Sequence, residues 1–243
     1  MIRTELSGPG VHLVTLDRHE RRNALDVDHL DSIRDAVAAA VEDGARAIVM
    51  TGAGTVFSAG ADLDQAYSGD FRTALYGALR KVTEAPVPVI AAVNGPAIGA
   101  GAQLALACDL RIGAERATFA VPTARNGLAV DGWTVRRLAL LTTGAVARNL
   151  LLGADSLDAE DAHRLGLLGR RGDLDAALEW AEDIATMAPL SLTYSKYALT
   201  ALLEGTQSDA AVDELFDGCW SSADVEEARQ ARSERRRPMF RGR

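Results

Sequence analysis

The stretch Val89-Ile90-Ala91-Ala92-Val93-Asn94-Gly95-Pro96-Ala97-Ile98-Gly99-Ala100-Gly101-Ala102-Gln103 decides the fold. Its apolar run has strand length and stops at Asn94-Gly95-Pro96, and the small residues Gly99-Ala100-Gly101-Ala102 then open a helix. A second segment has the same grammar: Ala47-Ile48-Val49-Met50-Thr51-Gly52 leads to Ala59-Gly60-Ala61-Asp62, again a strand, a loop and the start of a helix. The pair reads either as an internal repeat or as two instances of ordinary α/β grammar. Upstream, Val11–Leu16 alternates as a strand. Between Val27 and Val41 apolar residues recur at three- and four-residue spacing behind Asp26, a natural N-cap, which predicts an amphipathic helix. The first two thirds therefore predict an α/β or α+β core.

From Thr143 onward the pattern turns helical. Helices are expected near Ala145–Leu152, Asp158–Leu165, Leu174–Met187, Leu190–Leu203, Asp209–Cys219 and Ala223–Arg235, and no strand is expected among them. The chain has 243 residues, 48% of them hydrophobic, enough to bury a sizeable core. Its 26 basic and 34 acidic residues leave a net charge of −8, which argues against a general nucleic-acid or anionic-membrane surface. The charge is uneven, however. Seven arginines (229, 232, 235, 236, 237, 241 and 243) lie in the last fifteen residues, so an acidic body ends in a basic tail. No apolar run approaches the roughly 18 residues of a membrane span. Two cysteines and the lack of an apolar segment after Met1 predict neither export nor a disulfide framework, so a cytoplasmic protein is expected. His12, His19, His29 and His163 lack metal-ligand spacing, and no metal or redox cofactor is indicated. Cys108, after Leu104-Ala105-Leu106-Ala107, reads as a buried structural thiol.

The two small-residue turns carry the chemistry. Exposed backbone N–H groups at a helix start bind an anion where side chains do not block approach, and Gly and Ala meet that need. Ala61 and Ala100, one from each turn, would polarise a carbonyl if their N–H groups converged, and such a donor typically contributes about 3 kcal/mol of transition-state stabilisation. Close helix–strand contact selects the same small residues, so packing is the competing reading.

At this point the sequence resembles the crotonase superfamily, the enoyl-CoA hydratase/isomerase family. The resemblance rests on Glu20-Arg21-Arg22-Asn23-Ala24-Leu25, on Phe57-Ser58-Ala59-Gly60-Ala61-Asp62-Leu63, on Asn94 to Gln103, and on the strand Asp109-Leu110-Arg111-Ile112. It continues through Ala117-Thr118-Phe119 and Pro122 to Phe240. It implies a spiral of ββα units over residues 1–190 and a helical C-terminal trimerisation region with its basic tail over residues 191–243. It also implies a coenzyme A thioester as substrate or ligand, an oxyanion hole at Ala61 and Ala100, and a homo-oligomer, either a trimer or a dimer of trimers. The coenzyme would lie near Arg22, Ala24 and Leu25 and near Ala59, Asp62 and Leu63, with Phe240 and Arg241 covering the nucleotide. Guanidinium groups suit that task through forked pairing with phosphate, although the arginine run also reads as a solvated face.

Hydratases of this family use two glutamates, whose positions here hold Gln103 and Thr123. Neither exchanges a proton near neutral pH as a carboxylate does, and a general acid or base contributes about 10²–10⁴-fold. Ordinary hydration is therefore not expected, whereas Gln103 can still donate through its amide. Asp131, eight positions beyond Thr123, stands where related isomerases and dehalogenases place a catalytic aspartate. It reads equally as the N-cap of a helix starting near Gly132. Leu128, Val130 and Trp133 are candidates for an acyl pocket, or for ordinary core. Asp62 suits a helix N-terminus and its dipole. The missing glutamates and the Asp131–Trp133 arrangement look like a mycobacterial branch that binds acyl-CoA for lipid biosynthesis without hydrating it. The alternative is an enzyme with Asp131 as base or nucleophile, and a purely structural subunit would need a vestigial coenzyme site.

Overall fold

A computed structural model describes residues 1–204 and 210–243. The chain opens with an antiparallel pair, β1 (Ile2–Gly8) and β2 (Val11–Leu16), followed by α1 (Val27–Glu42), β3 (Ala47–Gly52), α2 (Gly69–Glu84) and β4 (Val89–Val93). Then come β5 (Pro96–Ile98), α3 (Ala100–Ala107), β6 (Leu110–Gly113), β7 (Thr118–Ala120), α4 (Gly132–Leu141) and α5 (Gly144–Leu152). The last third holds β8 (Ser156–Asp158), α6 (Ala159–Arg164), β9 (Arg170–Arg171), α7 (Leu174–Ala185), α8 (Pro189–Glu204), α9 (Ala210–Ser221) and α10 (Ala223–Glu234).

Two sheets form the body. One has the order β1-β2-β3-β4-β6-β9, parallel throughout except for β1, and the other the order β5-β7-β8. Every residue of β3 and β4 is buried, because a parallel sheet is covered on both faces. That is why both read as unbroken apolar runs. Alternate residues serve opposite sides: Ile48, Met50, Val89 and Ala91 pack with α1, α2 and α3, whereas Ala47, Val49, Ile90 and Ala92 pack with Ala177, Ala181 and Ile184 of α7. The result is the expected mixed α/β spiral with a helical C-terminal region.

The helices begin and end close to the expected limits. Asp26 caps α1 by accepting from His29 N–H at 2.9 Å. The helix expected from Asp209 starts at Ala210 among the described residues, and Asp209 itself lies outside them. Two expectations are corrected. Strands do occur after Thr143: β8 pairs with β7 and β9 with β6. They have three and two residues, too short for any period to show. The second correction concerns Ala61, which does not start an α-helix. It sits in a short parallel bridge to Leu25, a single turn follows Asp62, and α2 begins only at Gly69.

The division at residue 190 falls in the first turn of α8. That helix is fastened to the body by Lys196, a buried side chain whose Nζ pairs with Asp109 at 2.8 Å and donates to the carbonyls of Val82 and Val87. The chain end folds back onto α10. Asp224 accepts from the N–H groups of Arg241 and Gly242, and Glu227 binds both Arg236 and the Met239 N–H.

Candidate active site

Strand register brings the two turns together. Ser58 and Ala97 form a parallel bridge, with Ser58 N–H donating to Pro96 O at 3.1 Å and Ile98 N–H to Ser58 O at 2.9 Å. Each segment then runs three residues further, one to Ala61 and the other to Ala100. The approach is close enough to demand glycine. A Cβ on Gly60 would stand 2.6 Å from Ile98 O, and one on Gly101 2.6 Å from Ser58 O. Gly60 also has φ +99°, where a side chain is strained. Among the described residues, neither the Ala61 N–H nor the Ala100 N–H donates to a protein acceptor. Ala100 is the first residue of α3, so the helix dipole reinforces its N–H; Ala61 has no such helix behind it.

Both alanines line a cavity of about 340 Å³. Gln103, Thr123, Leu128 and Val130 line it too, as the sequence suggests, together with Tyr67, Phe71, Arg72, Leu75 and Tyr76 from α2 and the residues before it. Those α2 residues are the part that sequence reasoning missed. Phe71 and Leu75 are spaced one turn apart on the buried face of the helix, a pattern that marks a helix face without saying what the face adjoins. Among the described residues no Asp or Glu lines this cavity.

Gln103 is buried, and its amide nitrogen donates to Thr134 Oγ1 at 2.8 Å, whose hydroxyl donates in turn to Asp131 Oδ1 at 2.5 Å. One N–H of the amide is thus already engaged. Asp131 Oδ1 also accepts the Thr134 N–H at 3.1 Å, so the helix-cap reading of this residue is realised. Asp131 and Trp133 do not line the first cavity. They line a second one of about 510 Å³, and the Trp133 ring lies 5.2 Å from the Arg137 guanidinium carbon. Tyr76 borders both cavities, with Gln103 and the Asp131 backbone beside its hydroxyl. Burial, followed by the Asp131 charge, pushes the Tyr76 phenol above its ordinary range, so it remains a hydrogen-bond donor at neutral pH.

On the other side of Ala61 opens a groove lined by Ala24, Ala59, Asp62 and Leu63, with Arg21, Asp64 and Asn126. Arg22 and Leu25 support it through the main chain: Arg22 O accepts from Ala59 N–H, and Leu25 exchanges hydrogen bonds with Gly60 and Asp62. Asp62 does not cap a helix. It pairs with Arg18 at 2.9 Å, and Arg18 also reaches Asp26 at 3.1 Å, which ties the turn before α1 to the turn after Ala61. Burial alone would raise the Asp26 carboxyl, but hydrogen bonds from the His29 side chain and backbone, with the His29 and Arg18 charges, hold it below its ordinary value. Within one chain Phe240 and Arg241 lie away from this groove. The Phe240 carbonyl meets Arg46, at the end of β3 opposite to that from which residues 53–63 leave. Among the described residues no cluster of His, Cys, Asp or Glu could hold a metal, and no helix is long and apolar enough to cross a membrane.

Fold and site define a ββα-spiral protein with a small-molecule chamber at the ends of its parallel strands, entered beside two unspent backbone N–H groups. A family model described as enoyl-CoA hydratase/isomerase matches residues 7–243. A Mycobacterium tuberculosis protein named "Probable enoyl-CoA hydratase echA6" is 45% identical over 232 residues, covering 94% of this chain and 95% of the relative. The carnitinyl-CoA dehydratase of Salmonella enteritidis is 33% identical over 247 residues, covering 95% of this chain and 94% of the relative. Among solved structures, enoyl-CoA hydratase from Bacillus anthracis superposes with a TM-score of 0.89 at 29% identity, covering 100% of this chain and 99% of the other. Enoyl-CoA hydratase from Mycobacterium tuberculosis superposes with 0.88 at 29% identity, over the same shares. The chain belongs to the enoyl-CoA hydratase/isomerase family, and its architecture is the crotonase fold.

Proposed function

We propose that the protein binds fatty acyl- or enoyl-CoA thioesters in lipid metabolism and does not hydrate them by the ordinary two-carboxylate route. In this reading the coenzyme lies along the groove of Ala24, Ala59, Asp62 and Leu63, and the thioester carbonyl accepts from the Ala61 and Ala100 N–H groups. The acyl chain enters the cavity of Leu128 and Val130. The observation that carries the reading is that this cavity, which holds both amides and both positions of the family's glutamates, is lined by no carboxylate among the described residues. With Gln103 and Thr123 in those places, nothing there takes a proton from water or returns one to the α-carbon. The bound thioester is polarised and left intact, as a carrier or sensor requires. The basic tail and the helices after residue 190 would serve a homo-oligomer, a trimer or a dimer of trimers, in which a tail could meet a neighbouring groove.

One observation favours a second reading. Asp131 is one residue from Val130 of the cavity wall and beside Tyr76, so it stands at the edge of the chamber. An enzyme using Asp131 as base or nucleophile would have to release Oδ1 from the Thr134 N–H and hydroxyl. Calorimetric titration with saturated and unsaturated acyl-CoAs, with mass spectrometry of each mixture, separates the two. Binding without product is expected. Product that disappears in Asp131→Asn while binding persists would overturn the carrier reading, since Asn keeps the cap and loses the base.

A further inference from the structure

Beyond Tyr76 lies the second cavity, and nothing in the reading above gives it a ligand. Its wall is unlike that of the first. Leu79 and Trp133 supply apolar surface, but the exposed side chains Arg80 of α2 and Arg136 of α4 stand at the same cavity. Among the described residues neither guanidinium forms an ion pair with a carboxylate, although Asp131 lines the same wall with its Oδ1 held by Thr134. Glu84 is the other carboxylate of the wall.

Groove, chamber and second cavity are neighbours in that order: Ala61 lines the first two, and Tyr76 stands between the last two. A ligand whose thioester sits at Ala61 would meet Tyr76 as it grows longer, and with the Tyr76 side chain turned aside its distal end would enter the space behind. A methyl terminus there would gain only the Leu79 and Trp133 surface and nothing from the two guanidinium groups, which stay hydrated. A carboxylate terminus would replace that water with charge-assisted, forked hydrogen bonds.

We propose that the second cavity is a distal subsite for acyl chains ending in a carboxylate, with Tyr76 as the partition that a chain must pass and Arg80 and Arg136 as the residues that select the anion. The inference rests on the acyl-CoA reading of the first cavity and extends it to a ligand class, the ω-carboxyacyl-CoAs.

The test compares hexadecanoyl-CoA with hexadecanedioyl-CoA by calorimetry on the full chain, with butyryl-CoA as the short reference. The dioyl thioester is expected to bind about tenfold tighter or better, the range of one hydrogen bond to a charged group. Arg80→Gln with Arg136→Gln is expected to bring the two long ligands to equal affinity, and Arg80→Glu with Arg136→Glu to reverse their order. Both changes are at exposed positions, and a thermal melt checks that each variant is folded. Equal affinities on the unaltered protein, or a preference that survives both double variants, would overturn the subsite while butyryl-CoA binding left the broader reading standing. If butyryl-CoA and both long thioesters fail to bind, the acyl-CoA reading falls and the subsite with it.

Discussion

Gly60 shows how narrow the tolerances of the site are. Its φ of +99° and the 2.6 Å approach of Ile98 O to any Cβ act together, because the neighbour is backbone and cannot swing aside. Gly60→Ala is expected to lower stability by about 2 kcal/mol, in the range for a side chain held in a glycine conformation, and to weaken acyl-CoA binding by moving Ala61 off Ala100. Urea unfolding and calorimetry on the same variant read the two effects. Cys108 is the opposite case, a residue of chemical potential made inert. Full burial pushes its thiol up to about 12, and its Sγ–H faces the Leu104 carbonyl. At mildly alkaline pH an alkylating reagent is therefore expected to modify at most the half-buried Cys219 of the folded protein and both thiols in denaturant. Intact-mass measurement counts the adducts, and a doubly modified native chain would contradict the burial.

Among the elements, α8 carries a buried ion pair to the body. Lys196 is nearly inaccessible and binds Asp109, Val82 O and Val87 O at once. Lys196→Ala leaves the carboxylate and two carbonyls without their cation, a change that typically costs about 3–5 kcal/mol. A fall in Tm of roughly 10 °C is expected, at about 2–4 °C per kcal/mol for a chain of this size. Elements of this kind differ in how plainly the sequence announces them. Buried parallel strands β3 and β4 are legible as apolar runs, and α1, α5, α7 and α10 as periodic windows behind caps, because burial and period are local properties of the chain. The two-residue β9 is both exposed and too short to repeat, so its place is set by partners remote in sequence, the pairing with β6 and the Arg170 guanidinium over the Trp180 ring. The turn at Asp62 misleads because its small residues imitate a helix start, whereas an ion pair to Arg18, distant in sequence, fixes the carboxylate. The chamber is half legible for the same reason: Ala61, Ala100, Gln103 and Thr123 sit in recognisable motifs, while Tyr67, Phe71, Arg72 and Tyr76 join them only through the docking of α2.

Across the whole molecule, the chain end is folded back by charge. Hydrogen bonds from Arg236 and the Met239 N–H hold the Glu227 carboxyl at about 2, below its ordinary 4.5. A carboxyl lowered in the folded state stabilises that state above its unfolded value, and the contribution fades as pH falls from about 4.5 through about 2. The gap in urea midpoint between the unaltered protein and Glu227→Gln should therefore narrow over that interval. A gap that stays constant would show that the clamp does not act through ionisation.

The bridge between Ser58 and Ala97 has a last consequence. The two N–H groups at the chamber are presented by strand register, and a main-chain donor needs no functional side chain at its own position, only one small enough to leave the approach open. Gln103 and Thr123 face the same space through their side chains and are under no such protection. In the proposed reading the hold on a ligand and its reactivity are therefore separable: a substitution at Gln103 or Thr123 changes the second and leaves the two main-chain donors in place.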